Sequence, residues 1–353
     1  MKAIVAEPPE KKTVKLIDIS KPVPRKGQVL LKTLCVGIDG TDREINEGLY
    51  GTPPSNSQYL ILGHEAVTTI QTIDNQVYGF SEGDLVVPTV RRPCLENCLN
   101  CRGGEVDMCL TGNYFEHGIY RLHGFAAEYS VTDPNFLVKI PQELENVAVL
   151  LEPLSIAEKG IAQIFNIQKR MAWEPKRAFI AGAGTLGLLA AMVLRLRGFE
   201  VYVAATRTKE SLKAKIVDSV GGNYVNVRDT PIRTLQSEFD VIIEATGSVE
   251  VALEALSLLG PNGVFCLLGI YREKRACEEF GNVLTNMVLG NRLVFGSVNS
   301  NTTHFQLGVQ DLKEIKRRYG NVLERMITEK LHPSGFEQAF NSEKEGIKTV
   351  IYF

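Results

Sequence analysis

The sequence predicts an α/β protein in two parts: a β-rich first half, then a doubly wound parallel sheet. Three observations carry this. The chain has 353 residues, more than one small core holds. After Trp173 the pattern changes from short, turn-punctuated apolar runs to a regular alternation of strand-like and helix-like segments. At the first strand-to-helix junction of that alternation stands a glycine-rich turn, Gly182-Ala183-Gly184-Thr185-Leu186-Gly187.

Taken in order, Lys2–Ala6, Gln28–Thr33, Ala66–Ile73 and Asp84–Pro88 are apolar runs of strand length set off by Gly and Pro. Arg177–Gly182 is the first strand of the second part, and Leu186–Arg197 has helical periodicity. Strand-like Glu200–Thr206, helix-like Lys209–Val220 and strand-like Tyr224–Val227 follow. Asp240–Gly247, a helix from Val249, Gly263–Gly269 and Leu293–Asn299 bring the sheet to six strands. The tail contains a polar, helix-like stretch to about Lys330 and an apolar strand, Thr349–Phe353. The expected division is 1–172, 173–302, and a tail, 303–353, that returns to the first domain.

Composition narrows the function classes. Lys plus Arg number 39 and Asp plus Glu 41, a net charge of −2, so the basic excess of a nucleic-acid binder is missing. The N-terminus, MKAIVAEPPE, has no apolar run of signal-peptide length, and the most apolar segment, Ala178–Leu194, falls short of a membrane span. A cytoplasmic protein is expected, without a membrane or nucleic-acid partner.

The glycine turn suits a dinucleotide. Gly182 makes the tight turn, Gly184 admits the pyrophosphate to the backbone, and Gly187 lets helix and strand pack closely, with the phosphates at the helix N-terminus beside Thr185 and Leu186. An NAD site places an acid about 20 residues further on to hold the ribose hydroxyls. Here the stretch is Ala204-Ala205-Thr206-Arg207-Thr208-Lys209, with no acid, and Arg207 and Lys209 are able to pair with a 2′-phosphate. NADP is therefore favoured, with NAD possible. Gly247, at the end of the strand-like run Asp240–Gly247, is a further candidate cofactor contact.

Four of the seven cysteines, Cys94, Cys98, Cys101 and Cys109, have the spacing C-x3-C-x2-C-x7-C. Four thiolates on a short loop suit a closed, tetrahedral structural zinc site, a lobe of about residues 93–110. Cys35, Cys266 and Cys277 read as small buried apolar residues. Two further segments, Gly37-Ile38-Asp39-Gly40-Thr41-Asp42 and Gly63-His64-Glu65-Ala66, gain weight from this company.

With these residues together, the chain resembles the zinc-dependent medium-chain alcohol dehydrogenase superfamily, specifically the archaeal-type glucose 1-dehydrogenases. The likeness runs nearly end to end, through GIDGTD at 37–42, LGHEA at 62–66, VPTVRRP at 87–93, the four-cysteine lobe, FEHGI at 115–119, LEPLSIAEK at 151–159, GAGTLG at 182–187, GSVN at 296–299 and IKTVI at 347–351. It implies a GroES-like catalytic domain and a Rossmann coenzyme domain, assembled as a homodimer or homotetramer. It implies a catalytic zinc held by Asp39 and His64, with Glu65 and Glu152 as exchangeable or bridging ligands. Many relatives have Cys in place of Asp39; carboxylate is harder than thiolate but brings the same charge, so zinc stays bound, less tightly. The resemblance places Thr41 where its hydroxyl relays a proton. It makes Glu116, Glu152 and Asn299 sugar contacts, with Thr89 and His117 weaker candidates, and sets Asn299 beside the cofactor as well. The implied reaction is oxidation of an aldose, glucose first, at C1 to the aldonolactone, with hydride passing to NADP. A polyol or secondary-alcohol dehydrogenase with the same zinc chemistry is the alternative, and a non-catalytic NADPH-binding protein a more distant one.

Overall fold

The computed structural model describes residues 1–74, 77–272, 280–341 and 346–353, so Cys277 lies outside the described residues. They form two compact units: 1–155 with 299–312 and 323–353, and 156–298 with 313–322. The division comes at 155/156, not the expected 172/173. It falls inside a helix, Leu151–Gln168, that closes the half whose sequence reads as β-rich. Pro153 sits in its first turn, where a missing N–H costs no helical hydrogen bond.

The first unit is β-rich. Its main sheet runs in the order Leu137–Lys139, Leu85–Pro88, Glu65–Ile73, Val29–Ile38, Lys348–Tyr352 and Ile327–Leu331, with Tyr129–Thr132 also paired to Val29–Ile38. Val29–Ile38 is a nearly continuous apolar run, interrupted by Lys32 and Thr33, and is buried along nearly its whole length, as a central strand requires. The register decides what its end meets: Gly37 faces Glu65 on one side and Val350 on the other. A small sheet, Lys15–Asp18, Lys2–Ala6 and Leu60–Ile61, contributes Ile4, Val5 and Leu60 to a core shared with Val36, Ile38, Ile45, Phe125 and Ile351.

The tail departs from its expected helix. Thr302–Tyr319 and Val322–Met326 are helical, but Ile327–Leu331 is a strand, parallel to Lys348–Tyr352. Gly320, at φ +63°, ends the long helix. The alternation in Ile-Thr-Glu-Lys-Leu then fits a half-buried strand, and sheet pairing outweighs the helical propensity of Glu and Lys.

The second unit holds a six-stranded, wholly parallel sheet ordered Asn223–Asn226, Glu200–Ala205, Arg177–Ala181, Phe239–Glu244, Leu259–Leu267 and Leu293–Gly296. The chain moves outward from its first strand one way, then the other, which is the doubly wound order. Phe179, Phe239, Ile242, Leu259 and Phe265 form the core under one of its faces. No helix among the described residues is long and apolar enough to cross a membrane.

Candidate active site

Strand Val29–Ile38 delivers Asp39, and strand Glu65–Ile73 begins immediately after His64. Their antiparallel register therefore brings two short sequence segments to one place. One ligand oxygen or nitrogen from each of Asp39, His64 and Glu65 lies within 4.8 Å of the others. His64 Nε2 faces Asp39 Oδ2 at 3.7 Å. Asp39 also caps the helix Gly40–Asn46: its Oδ1 accepts from the Asp42 N–H at 3.1 Å, while Oδ2 accepts from the Thr41 hydroxyl at 3.2 Å. The carboxylate thus divides its two oxygens, one holding the helix and one turned to His64.

Two glycines make this packing possible. A Cβ on Gly37 would collide with Glu65 Oε2, and Gly63 has φ +81° with Val36 Cγ1 only 2.5 Å from where its Cβ would lie.

Asp42, to which the motif alone assigns no role, ties the two segments together. Its Oδ1 accepts from the Gly63 N–H at 3.2 Å and its Oδ2 from the Asp39 N–H at 3.2 Å. Lys348 likewise carries no local sequence signal. It is 2% exposed and its ammonium is ion-paired with Glu65 Oε2. Only the C-terminal strand, paired beside Ile38, puts it there.

Glu152 does not belong to the three-residue ligand group, yet it is close enough for its charge to act on His64 and Asp39. Burial pushes its carboxyl up to about 8, with Glu65 and Asp39 adding to the shift and His64 opposing it. Burial likewise raises Asp42 to about 7. Burial works against a charged His64, but Asp39, Asp42, Glu152 and Glu65 outweigh it and lift His64 to about 9. Asp39 is held below the usual carboxylate range: burial opposes this, and His64 and Lys348 overcome it.

Four carboxyl groups, the His64 imidazole and the Lys348 ammonium thus crowd together, and among the described residues the buried His64 Nδ1 has no hydrogen-bond partner. A mixed nitrogen and oxygen donor set rich in carboxyl groups fits a divalent cation such as zinc.

The predicted sugar contacts are partly assembled. Asn299 Nδ2 donates to Glu116 Oε1 at 2.7 Å, and both side chains are buried. Asn299 adopts φ +58°, which asparagine tolerates. Thr89 is taken up elsewhere: its hydroxyl and carbonyl accept from Arg92 Nη1 at 3.2 and 2.9 Å. His117 is a packed core histidine, with Nδ1 on the His123 carbonyl at 2.7 Å and its ring 4.4 Å from that of Phe125. Burial holds it well below the usual histidine range.

In the lobe, one sulfur from each of Cys94, Cys98, Cys101 and Cys109 lies within 4.8 Å of the rest. The Leu110 N–H, with the backbone at Cys101, draws Cys98 down to about 6, while burial pushes Cys101 up to about 12. Exposed Leu95, Leu99, Met108 and Leu110 show that apolar burial does not hold this loop together. Four convergent sulfurs with N–H donors behind them fit one tetrahedral zinc ion.

In the second unit, Gly182 has φ +109°, and a Cβ on Gly187 would strike the Gly182 carbonyl. A Cβ on Gly184 would meet nothing within 4 Å. Gly184 begins the helix Thr185–Leu196 without a side-chain cap, so Thr185 and Leu186 open a helix N-terminus of the kind that receives phosphates. Gly247, at φ +71°, donates to Glu244 Oε1 at 3.1 Å. Glu244, fully buried, also accepts from Thr246 and Tyr271 and so braces that strand-end turn.

Thr206, Arg207 and Thr208 follow the strand Glu200–Ala205, and the Arg207 carbonyl accepts from the Tyr224 hydroxyl at 2.9 Å. Lys213, on the next helix, is pushed down by burial and by Arg207. Two cations therefore share this place, which the linear spacing did not reveal.

Residues 145–353 match the family described as glucose dehydrogenase C-terminus, and residues 25–142 match the alcohol dehydrogenase GroES-like domain. Glucose 1-dehydrogenase 2 of Vulcanisaeta moutnovskia is 47% identical over 99% of both chains. The chain belongs to the zinc-dependent glucose dehydrogenase family. Another of its relatives, glucose 1-dehydrogenase of Methanocella arvoryzae, is 45% identical over 99% of both chains. Glucose dehydrogenase of Haloferax mediterranei, solved in complex with NADP, Zn and gluconolactone, superimposes with a TM-score of 0.92 at 34% identity, covering 100% of this chain and 99% of that one. Escherichia coli galactitol-1-phosphate dehydrogenase, with a TM-score of 0.83 at 21% identity, shares the fold.

Proposed function

We propose that this chain oxidises an aldose, glucose first, at C1 to the aldonolactone, with NADP accepting the hydride. The observation that carries this is the convergence of Asp39, His64 and Glu65 in a chain similar to glucose dehydrogenases along its whole length. Asp39 and His64 would hold the catalytic zinc, with Glu65 beside them and Glu152 as the exchangeable ligand that the family pattern implies. Zinc bound there supplies Lewis-acid polarisation of the C1 hydroxyl. Glu152, raised by burial to about 8, is a base matched to neutral pH and takes the hydroxyl proton at its carboxylate. The Thr41 hydroxyl, already donating to Asp39 Oδ2, is the second group able to pass a proton.

Glu116 and Asn299 orient the sugar by pairing with its hydroxyls, since an unpaired polar group in a closed site is costly. The Gly182–Gly187 turn holds the pyrophosphate. Arg207, with Lys213 beside it, receives the 2′-phosphate, which favours NADP over NAD. The four cysteines hold a structural zinc and take no part in the chemistry.

Leu284, Val288 and Leu289 are exposed on the helix Phe280–Leu289, next in sequence to the sheet-edge strand Leu293–Gly296. This apolar surface supports a homodimer, or a homotetramer with a second interface. A lobe that depends on reduced thiols suits the cytoplasm.

The test is NADP reduction over a panel of aldoses, polyols and simple alcohols, with and without a zinc chelator. Chelator-sensitive turnover confined to aldoses is expected. Turnover with polyols alone would keep the zinc chemistry and overturn the sugar assignment.

A further inference from the structure

Within the first unit, a closed ring of buried hydrogen bonds links the cysteine lobe to the proposed sugar contacts. Arg91, 4% exposed, directs Nε and Nη2 to Glu116 Oε1 at 3.0 and 2.9 Å, and Nη1 to the Asp107 carbonyl at 3.0 Å. Its guanidinium lies 3.7 Å from the centre of the Tyr114 ring, which fixes the plane of the fork. Asp107 is two residues from Cys109, in the short helical turn Val106–Met108 that leads directly into that ligand.

The return path runs through Asn301. Its Nδ2 donates to Asp107 Oδ1 at 3.0 Å and to Glu105 Oε2 at 2.7 Å. The Ser300 N–H, one residue back, donates to Asn299 Oδ1 at 2.7 Å, and Asn299 Nδ2 closes the ring on Glu116. Ser300 Oγ also bonds Ser155 Oγ at 2.6 Å, tying the segment to the helix that carries Glu152. Three donor bonds converge on Glu116 Oε1, and among the described residues none reaches Oε2. Oε2 is therefore the oxygen left for a sugar hydroxyl.

We propose that Arg91 and Asn301 are positioning residues that couple the lobe to the sugar contacts, so that metal held by the four cysteines and sugar held by Glu116 and Asn299 reinforce each other's binding. This rests on the aldose reading given above. Lysine is no substitute for Arg91, because one ammonium does not reproduce a planar fork that serves two acceptors and stacks on a ring. The coupling is reciprocal by linkage: whatever the lobe does for sugar affinity, sugar does for metal retention in the lobe.

The test compares the zinc-loaded wild type with R91K, N301A and the double variant. R91K and N301A are each expected to raise the KM for glucose about tenfold or more, leaving kcat within about threefold and the KM for NADP within about twofold. The double variant should fall short of the product of the two effects, since both open the same ring. Zinc content and thermal midpoint show whether the variants are folded and loaded. The second readout needs no turnover: release of lobe zinc by an organomercurial, followed with an indicator dye, slows with glucose in the wild type and not in R91K. Unchanged kinetics in R91K, equal rises in both KM values, or zinc release insensitive to glucose in the wild type would each overturn the coupling while leaving the aldose reading intact. A wild type inert towards every aldose would sink the aldose reading and the coupling with it.

Discussion

Replacing Lys348 by Met tests how the buried charge at the metal site is balanced. Lys348 and Glu65 are each 2% exposed and are ion-paired through Nζ and Oε2. Methionine has similar length and no charge, so the change leaves the Glu65 carboxylate in a closed space beside Asp39, Asp42 and Glu152, with His64 as its remaining cationic neighbour. Breaking a buried pair on one side costs about 3–5 kcal/mol, because the remaining charge stays desolvated. In the metal-free protein K348M should be destabilised by that amount.

Adding Glu65→Gln removes the stranded charge, and the double variant should recover to within about 1.5 kcal/mol of the wild type, the cost of one ordinary buried hydrogen bond. Zinc should shrink the K348M penalty, since the ion's charge compensates Glu65 directly. The assay is urea unfolding of metal-free and zinc-loaded protein, followed by far-ultraviolet circular dichroism. The reasoning is refuted if K348M lies within about 0.5 kcal/mol of the wild type, or if the two changes add within about 0.5 kcal/mol.

Asp39→Ala should lose the catalytic zinc and turnover while still binding NADP, and cost a further ~1 kcal/mol as the helix cap goes; Asp39→Asn should lose zinc but keep the cap, as metal analysis and thermal melts would show. Gly184→Ala meets no atom within 4 Å, so stability should hold while NADP binding, read by NADPH fluorescence, weakens about tenfold as a methyl enters the phosphate's space. Arg207→Ala should raise the KM for NADP about tenfold, the loss of one charge-assisted contact, and leave the KM for NAD nearly unchanged. His117 is held neutral by burial, with its folded pKa below its unfolded one. The unfolded chain therefore binds the extra proton below about pH 6.5, and stability is lost as pH falls through that value. His117→Asn should show a flatter decline on acidification than the wild type, measured as thermal midpoint against pH.

Some of the site was legible because its signal is local. The glycines of 182–187 and the cysteines of 94–109 act through neighbours a few residues away, and turn geometry or ligand spacing is written directly in such stretches. Asp39 with Thr41, and His64 with Glu65, were likewise visible as segments, although nothing in either segment says that they meet. Other features were obscured by competing local signals. Pro153 inside an apolar run concealed the helix Leu151–Gln168, and the Glu and Lys of Ile327–Leu331 suggested helix where the residues pair as a strand.

From the sequence alone came the two-part α/β plan, the dinucleotide turn, the four-sulfur lobe and the pair of segments bearing the metal ligands. Tertiary structure decided the partners. Lys348 reaches Glu65 across 283 residues of chain, and Asn299 reaches Glu116 across 183. Arg91 and Asp42 acquire their roles only when separate segments are brought side by side. The physical reason is that a turn or a ligand loop is governed by covalent neighbours. A buried charge is governed by whatever the sheet register sets against it, and that register is a property of the whole folded unit.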